Sequence, residues 1–172
     1  MFITTMIRTR FLSILVLFFL LSLGPFAYAD ASDRVVLLIS GNHGHENQAE
    51  PLELKLTTIE ELPSETFTTT TPWTEGDVTW EGVRISTLME YLKTDSMEFK
   101  ASALDGYEIM FKGVDIEKYP VIIAYKRDGE YMSVRELGPF WIMFPFDDYK
   151  KEFSFAEHRA LAVWQLNQIE IL

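Results

Sequence analysis

The chain contains no cysteine, and that absence excludes more than any single residue present can establish. Without thiols there are no disulfide staples, no thiolate metal ligands and no cysteine nucleophile. The sequence also lacks a Gly-x-x-x-x-Gly-Lys-Ser/Thr phosphate loop and a Gly-x-Ser-x-Gly nucleophile elbow, so two common frames for nucleotide and acyl chemistry are missing. Long apolar runs are missing too. The longest, Phe11 to Leu23, has 13 residues, short of the roughly 20 that a membrane-spanning helix needs. Basic residues are scarce, with 15 Lys and Arg against 26 Asp and Glu, a balance that repels nucleic acid and anionic lipid.

The short apolar run reads as a secretory signal. Arg8 and Arg10 precede it, Gly24-Pro25 breaks it, and Ala27-Tyr28-Ala29 forms an A-x-A cleavage site. Residues 1–29 are therefore expected to be a signal peptide, cleaved after Ala29, and residues 30–172 a single domain. An exported chain without disulfides fits the bacterial periplasm most easily. All 26 acidic residues and 13 of the 15 basic ones follow the cleavage point, so the exported part carries −13. Such a surface suits a basic partner, and equally suits plain solubility. With no covalent staples the core must hold by packing, to which 13 Phe and 4 Trp contribute.

Short strands dominate the pattern. Arg34–Ser40 reads as a buried strand. Leu52, Leu54 and Leu56 alternate as in a half-buried strand. Thr57-x-x-Glu60 predicts a capping box opening a short helix that Pro63 stops. Glu65–Thr71 reads as a strand, followed by a loop carrying Trp73. A helix is expected near Ser86, with Leu88, Met89, Tyr91 and Leu92 on or near its inner face. Asp105-Gly106 and Asp128-Gly129 are hairpin turns, the second flanked by Val121–Lys126 and Tyr131–Val134. One helical turn is expected over Asp115–Lys118, a very apolar strand over Phe140–Phe144, a helix from a Ser154-x-x-Glu157 box, and a closing strand over Trp164–Leu172. Many short strands with three small helices make an α+β domain with a mixed β-sheet core.

Five motifs occur in a telling order: the helix-then-strand unit Leu54–Thr71; Trp80, Gly82, Val83, Ile85 and Leu88; Asp105-Gly106-Tyr107; Ala124, Tyr125, Asp128 and Gly129; and Gly138, Pro139 and Pro145. Together they resemble the sulfite-oxidase-type molybdopterin-binding domain over Leu52–Leu172. Within that family the chain resembles most the small stand-alone periplasmic pterin-binding proteins of the PruR type. The resemblance implies a sulfite-oxidase-like molybdopterin-binding fold with a pterin pocket. It also implies a signalling role, in which reduced pterin is sensed and a membrane-bound cyclic-di-GMP cyclase/phosphodiesterase is controlled, with effects on biofilm. The family's enzymes hold molybdenum through a cysteine just after the strand preceding the Trp-x-Gly-Val segment. Here that region is Phe67–Thr71 and Pro72-Trp73, and a threonine hydroxyl is no substitute for a thiolate. No molybdenum is expected, and with it no oxidoreductase activity.

A pterin needs aromatic faces, acceptors for its amino and ring N–H groups, and donors for its carbonyl. The candidates are Trp73, Tyr125 and Trp141 as aromatics, Asp105 and Asp147 (with Asp148) as carboxylates, and Arg135 as the cation. Thr70 stands in the strand where one hydroxyl would face the ligand in place of the cysteine. Each has a plainer role beside it: Trp141 in an apolar strand is as well read as core, Asp105 as a turn former, Arg135 as a surface ion pair. His43-x-His45 with Glu46 lacks a third placed ligand and reads as a solvated loop rather than a metal site. The expected function is a non-catalytic periplasmic binder of a reduced, monapterin-like pterin, read by the periplasmic domain of a membrane signalling protein. The alternatives are a molybdopterin-dependent oxidoreductase subunit and a ligand-free interaction scaffold.

Overall fold

A computed structural model describes residues 36–45, 50–113, 116, 118–151 and 158–172. The expected signal peptide and cleavage point, Glu46 and the expected Ser154-x-x-Glu157 helix lie outside these residues, as do Asp115 and Glu117 of the expected helical turn. The described residues belong to one compact unit within 32–172. Among them, no helix is long and apolar enough to cross a membrane.

Among the described residues ten strands form two sheets. The first runs in the order β2 (Leu52–Lys55), β1 (Val36–Gly41), β10 (Leu166–Ile171), β5 (Phe99–Ala103), β6 (Glu108–Phe111). Only β1 and β10 run parallel in it, Leu38 beside Gln168, and the other pairs are antiparallel. The second sheet is antiparallel throughout: β3 (Ser64–Thr70), β4 (Asp77–Arg84), β7 (Ile122–Arg127), then β8 (Glu130–Tyr131). Strand β9 (Trp141–Met143) also pairs with β7, taking the Ile122–Ala124 stretch of the edge while β8 takes Lys126–Arg127. The period-2 alternation is visible in β5, where Phe99, Ala101 and Ala103 are buried and Lys100 and Ser102 are not. Strand β9 is buried at every position, as its unbroken apolar run requires. Both sheets feed one core, with Leu37, Ile39, Ile169 and Phe99 from the first and Trp80, Val83, Ile123 and Trp141 from the second.

Among the described residues two short α-helices flank the strands. Helix α1 spans Leu56–Glu60 and buries Leu56 and Ile59, while α2 spans Ile85–Tyr91 and buries Ile85, Leu88 and Met89. The predicted capping box on α1 does not form. Its N-cap is Lys55, without a side-chain bond, so Thr57 and Glu60 lie inside the helix. The reason is that Leu56 leaves the strand alternation to enter the core as the first helical residue. The strand predicted over Tyr131–Val134 ends at Tyr131. Ser133 then caps a 310 turn, Val134–Glu136, in a reciprocal box with Glu136. The His43 loop is solvated only in part, with Asn42 and Gly44 exposed and His43 buried. Gly44 donates its N–H to the Leu92 carbonyl at 2.8 Å and packs on Lys93, which draws the loop onto the end of α2 and buries His43.

Gly82 shows how close the second sheet is drawn together. Its register with Ala124 follows a bulge after Glu81, and a Cβ there would stand 2.2 Å from the Ile123 carbonyl oxygen. Gly82→Ala is expected to cost about 3 kcal/mol, the upper part of the range for overpacking. Gly106→Ala, with φ +87 and nothing within 4 Å of the added carbon, should cost only the backbone term of about 1 kcal/mol. Urea unfolding of both variants tests the contrast; equal losses would mean that the β4–β7 approach tolerates a side chain.

Candidate functional site

Among the described residues a cavity of about 300 Å³ is lined by Trp73, Asp105, Tyr107, Arg159, Ala160, Ala162, Val163 and Trp164. Three segments build it. Trp73 comes from the loop after β3, held by bonds among Thr71, Thr74 and the Trp73 N–H. Asp105 and Tyr107 come from the β5–β6 turn, where the Asp105 carboxylate accepts the Tyr107 N–H at 2.9 Å and closes an Asx turn. Arg159–Trp164 runs from a 310 turn, Arg159–Leu161, to the start of β10. Tyr107 joins two of these segments by donating its hydroxyl to the Ala160 carbonyl at 2.9 Å.

The indoles of Trp73 and Trp164 meet edge to face, centroids 5.5 Å apart at 67°. Behind them Trp141 lies 6.0 Å from Trp73 and 6.1 Å from Trp164, and Trp80 packs edge-on against Trp141 at 5.0 Å. The cavity thus offers a corner of two indoles, a carboxylate with one oxygen engaged in its turn, a phenol and a guanidinium.

Of the residues singled out from the sequence, Trp73 and Asp105 come together here. Trp141 is fully buried and supports the two lining indoles from the core. Thr70 and Asp147 meet each other instead. The Thr70 N–H and hydroxyl both donate to the Asp147 carboxylate, at 2.5 and 3.0 Å, while the Asp147 N–H donates to Thr69 Oγ1 at 3.1 Å. They clamp the end of β3 to the segment after β9, and neither lines the cavity. Tyr125 lies elsewhere, buried in β7 beside Lys126, Glu60, Glu81 and Tyr131. Burial first, and the Glu81 carboxylate second, push its phenol up. Arg135 sits exposed on the Val134–Glu136 turn, and the guanidinium that reaches the cavity is Arg159.

Sequence reasoning missed Arg159, Trp164 and the lining role of Tyr107. Tyr107 was visible within Asp-Gly-Tyr. Trp164 was assigned to the closing strand, which begins only at Leu166, leaving the indole in the turn before it.

The threonines fit no metal-holding role. Thr69 is buried, with its hydroxyl used by Asp147 and the Thr70 carbonyl, and Thr71 is used by Thr74 and Trp73. Among the described residues no group of three or more His, Cys, Asp or Glu is placed to hold a metal ion. A thiolate-held molybdenum therefore does not fit the residues present.

One mixed and one antiparallel sheet with few short helices make this an α+β protein with a sulfite-oxidase-like fold. Among solved structures it is similar to the sulfane dehydrogenase SoxCD from Paracoccus pantotrophus, at a TM-score of 0.60 and 17% identity, covering 81% of this chain. The chain spans 38% of the length of that protein's chain, and the likeness is one of fold. No family model and no curated protein matches the sequence.

The Asp147 clamp has a pH signature. Burial raises its carboxyl, but the Lys150 ammonium and both Thr70 bonds outweigh burial and hold it below the ordinary carboxylate value. Its contribution to stability is therefore complete above about pH 4, the unfolded value, and is lost as pH falls through the lower folded value. Asp147→Asn should cost about 1 kcal/mol at pH 7 and flatten the acid limb of a stability–pH curve. A variant curve parallel to wild type below pH 4 would remove Asp147 from that limb.

Proposed function

We propose that the chain is a non-catalytic binding protein for a pterin-like bicyclic heteroaromatic, which occupies the cavity between Trp73 and Trp164. The observation that carries this reading is the convergence of two indoles, Asp105 and Arg159 on a cavity of about 300 Å³, at the low end of the size range of ligand sites. One edge of a pterin carries an amino group, a ring N–H and a carbonyl. A carboxylate answers the first two and a guanidinium the third. The 67° corner favours a ring with a puckered, CH-bearing half over a fully flat one, since no parallel indole pair is present to sandwich a plane. That supports a reduced pterin. The absence of cysteine and the committed threonine hydroxyls support binding without molybdenum, and so against the oxidoreductase-subunit reading.

The resemblance to the PruR type supports a location in the periplasm and a role as regulator, in which the loaded and empty states are read differently by a membrane-bound cyclic-di-GMP enzyme. Deleting the protein should then alter cyclic-di-GMP output and surface attachment, and cavity variants that fold but do not bind should reproduce the change. A silent deletion removes the signalling role.

Titration calorimetry of the exported chain with tetrahydropterins, oxidised pterins, folates and guanine tests the ligand. The expected result is micromolar binding of a tetrahydropterin, about −8 kcal/mol, with oxidised forms weaker. Asp105→Asn and Arg159→Ala should each lose about 1.5–3 kcal/mol of binding, the range for hydrogen bonds to charged groups, while Arg135→Ala changes nothing. No pterin binding up to millimolar concentration sinks the reading; loss on Arg135→Ala alone would relocate the site.

A further inference from the structure

Left-handed backbone is where glycine is expected, and the described residues mostly follow that rule. Gly41, Gly76, Gly106 and Gly129 hold it. Lys93 takes the left-handed place just past α2 and Asp128 opens a hairpin turn, both ordinary settings for it. Leu137 and Gln165 stand apart, with φ 69 and 49. A residue with a Cβ is disfavoured there, so each side chain is kept for a use. Leu137 packs against the core. Gln165 makes three hydrogen bonds. Its N–H donates to the Leu137 carbonyl at 2.8 Å, so the two disfavoured residues are bonded to each other. Its carbonyl accepts the Leu104 N–H at 3.0 Å, and its side-chain amide donates to the Val134 carbonyl at 2.8 Å.

Three parts of the fold meet in this residue. Trp164, directly before it, is a wall of the cavity, and Leu104 adjoins Asp105, another wall. The third part is the Val134–Glu136 turn with Leu137, which does not line the cavity and is exposed from Val134 to Glu136. The Val134 carbonyl also accepts the Leu137 N–H, but at 3.3 Å, so the Gln165 amide is the firmer restraint on the turn. Two discrete arrangements follow. In one, three bonds hold Gln165 left-handed. In the other, they are lost together and the backbone relaxes to an ordinary region. Disfavoured backbone set against three bonds makes an element that switches rather than bends.

We propose that Gln165 is a positioning residue through which filling of the cavity is reported at the Val134–Leu137 turn. This rests on the cavity being the ligand site, and adds the surface on which loaded and empty states differ. A ligand packed on Trp164 fixes the residue before Gln165 and favours the held arrangement, so the turn stays closed. In the empty protein the released arrangement is more populated and the turn opens. The ligand acts only through its different affinity for the two arrangements. Such coupling is reciprocal, so loosening the turn is felt at the cavity wall.

Amide hydrogen exchange, followed by NMR, reads the switch at the Leu104 and Leu137 N–H groups. Saturating tetrahydropterin should slow exchange at both about fivefold or more, the lower end of typical coupling factors. Gln165→Glu keeps the size of the side chain but cannot donate. It should still bind tetrahydropterin and lose the response at Leu137, whereas a merely structural glutamine would raise exchange equally with and without ligand. Gln165→Met removes the donor without adding charge, and replaces the Glu variant if circular dichroism shows that one unfolded. A second arm needs no ligand. Ser133→Ala breaks the capping box on the exposed turn. In the empty protein it should speed exchange at Leu104 about fivefold, and should add nothing in the Gln165→Glu background. The proposal is overturned if bound tetrahydropterin leaves Leu137 exchange unchanged, or if Gln165→Glu keeps the response. It is equally overturned if Ser133→Ala acts at Leu104 alike in both backgrounds or in neither. Absence of any pterin binding by calorimetry is a different result: it ends the ligand reading, and the ligand-free arm then decides the coupling.

Discussion

The contact between Trp80 and Trp141 is the interaction on which the rest of the structure depends. Trp80 stands on β4 and Trp141 on β9, the two strands that flank β7, so their edge-to-face packing ties the second sheet together through its interior. Both indoles are fully buried, and neither indole N–H has a hydrogen-bond partner among the described residues. An unsatisfied buried donor costs about 1–3 kcal/mol. The dispersion and area gained by two stacked layers of tryptophan must outweigh two such costs. What this arrangement yields is a rigid floor. Trp73 and Trp164 lie on loops, yet both rest on Trp141, and all four tryptophans of the chain are used in this one cluster.

The end of β3 is tied down by its own threonines. Three successive threonines, Thr69 to Thr71, spend their hydroxyls on the protein itself: on Asp147 and the Thr70 carbonyl, on Asp147 again, and on Thr74 with the Trp73 N–H. These ties fix the loop that carries Trp73. Lys150 adds its ammonium to Asp147 at 2.9 Å, reinforcing the clamp from the solvent side.

Much of the architecture was legible because it rests on local rules. Asp105-Gly106 and Asp128-Gly129 gave both hairpins, and the apolar run around Trp141 gave the buried β9. Alternation in Leu52–Leu56 gave β2 and only misplaced its end, where Leu56 turns into α1. The site was less legible because its walls are distant in sequence. Trp73 and Asp105 could be chosen by residue type, and both line the cavity. Arg135 was chosen by its nearness to Gly138-Pro139 along the chain, but the Ser133 cap turns that segment outward into a 310 turn. Arg159 was invisible because only the Tyr107–Ala160 bond shows that its turn faces the β5–β6 hairpin. Thr70 and Asp147 were each placed at the ligand; their mutual bonds, which no pattern in either segment announces, assign them to the frame.

The same long-range bonds determine how the cavity responds when filled. Its three walls are joined to one another by few described links: the Tyr107 hydroxyl to Ala160, the Leu104 N–H to Gln165, and the indole contacts. The floor, by contrast, is locked into both neighbours of β7. A ligand that bridges Asp105 and Arg159 adds a tie between the hairpin and the 310 turn where the protein itself supplies chiefly one hydroxyl. At a ligand concentration a hundredfold above its dissociation constant the gain is about 2.7 kcal/mol, larger than a single neutral hydrogen bond across the same gap. A rim whose shape depends on that tie, set on a core that does not move, is the arrangement a binding protein needs if its loaded state is to be distinguished from its empty one.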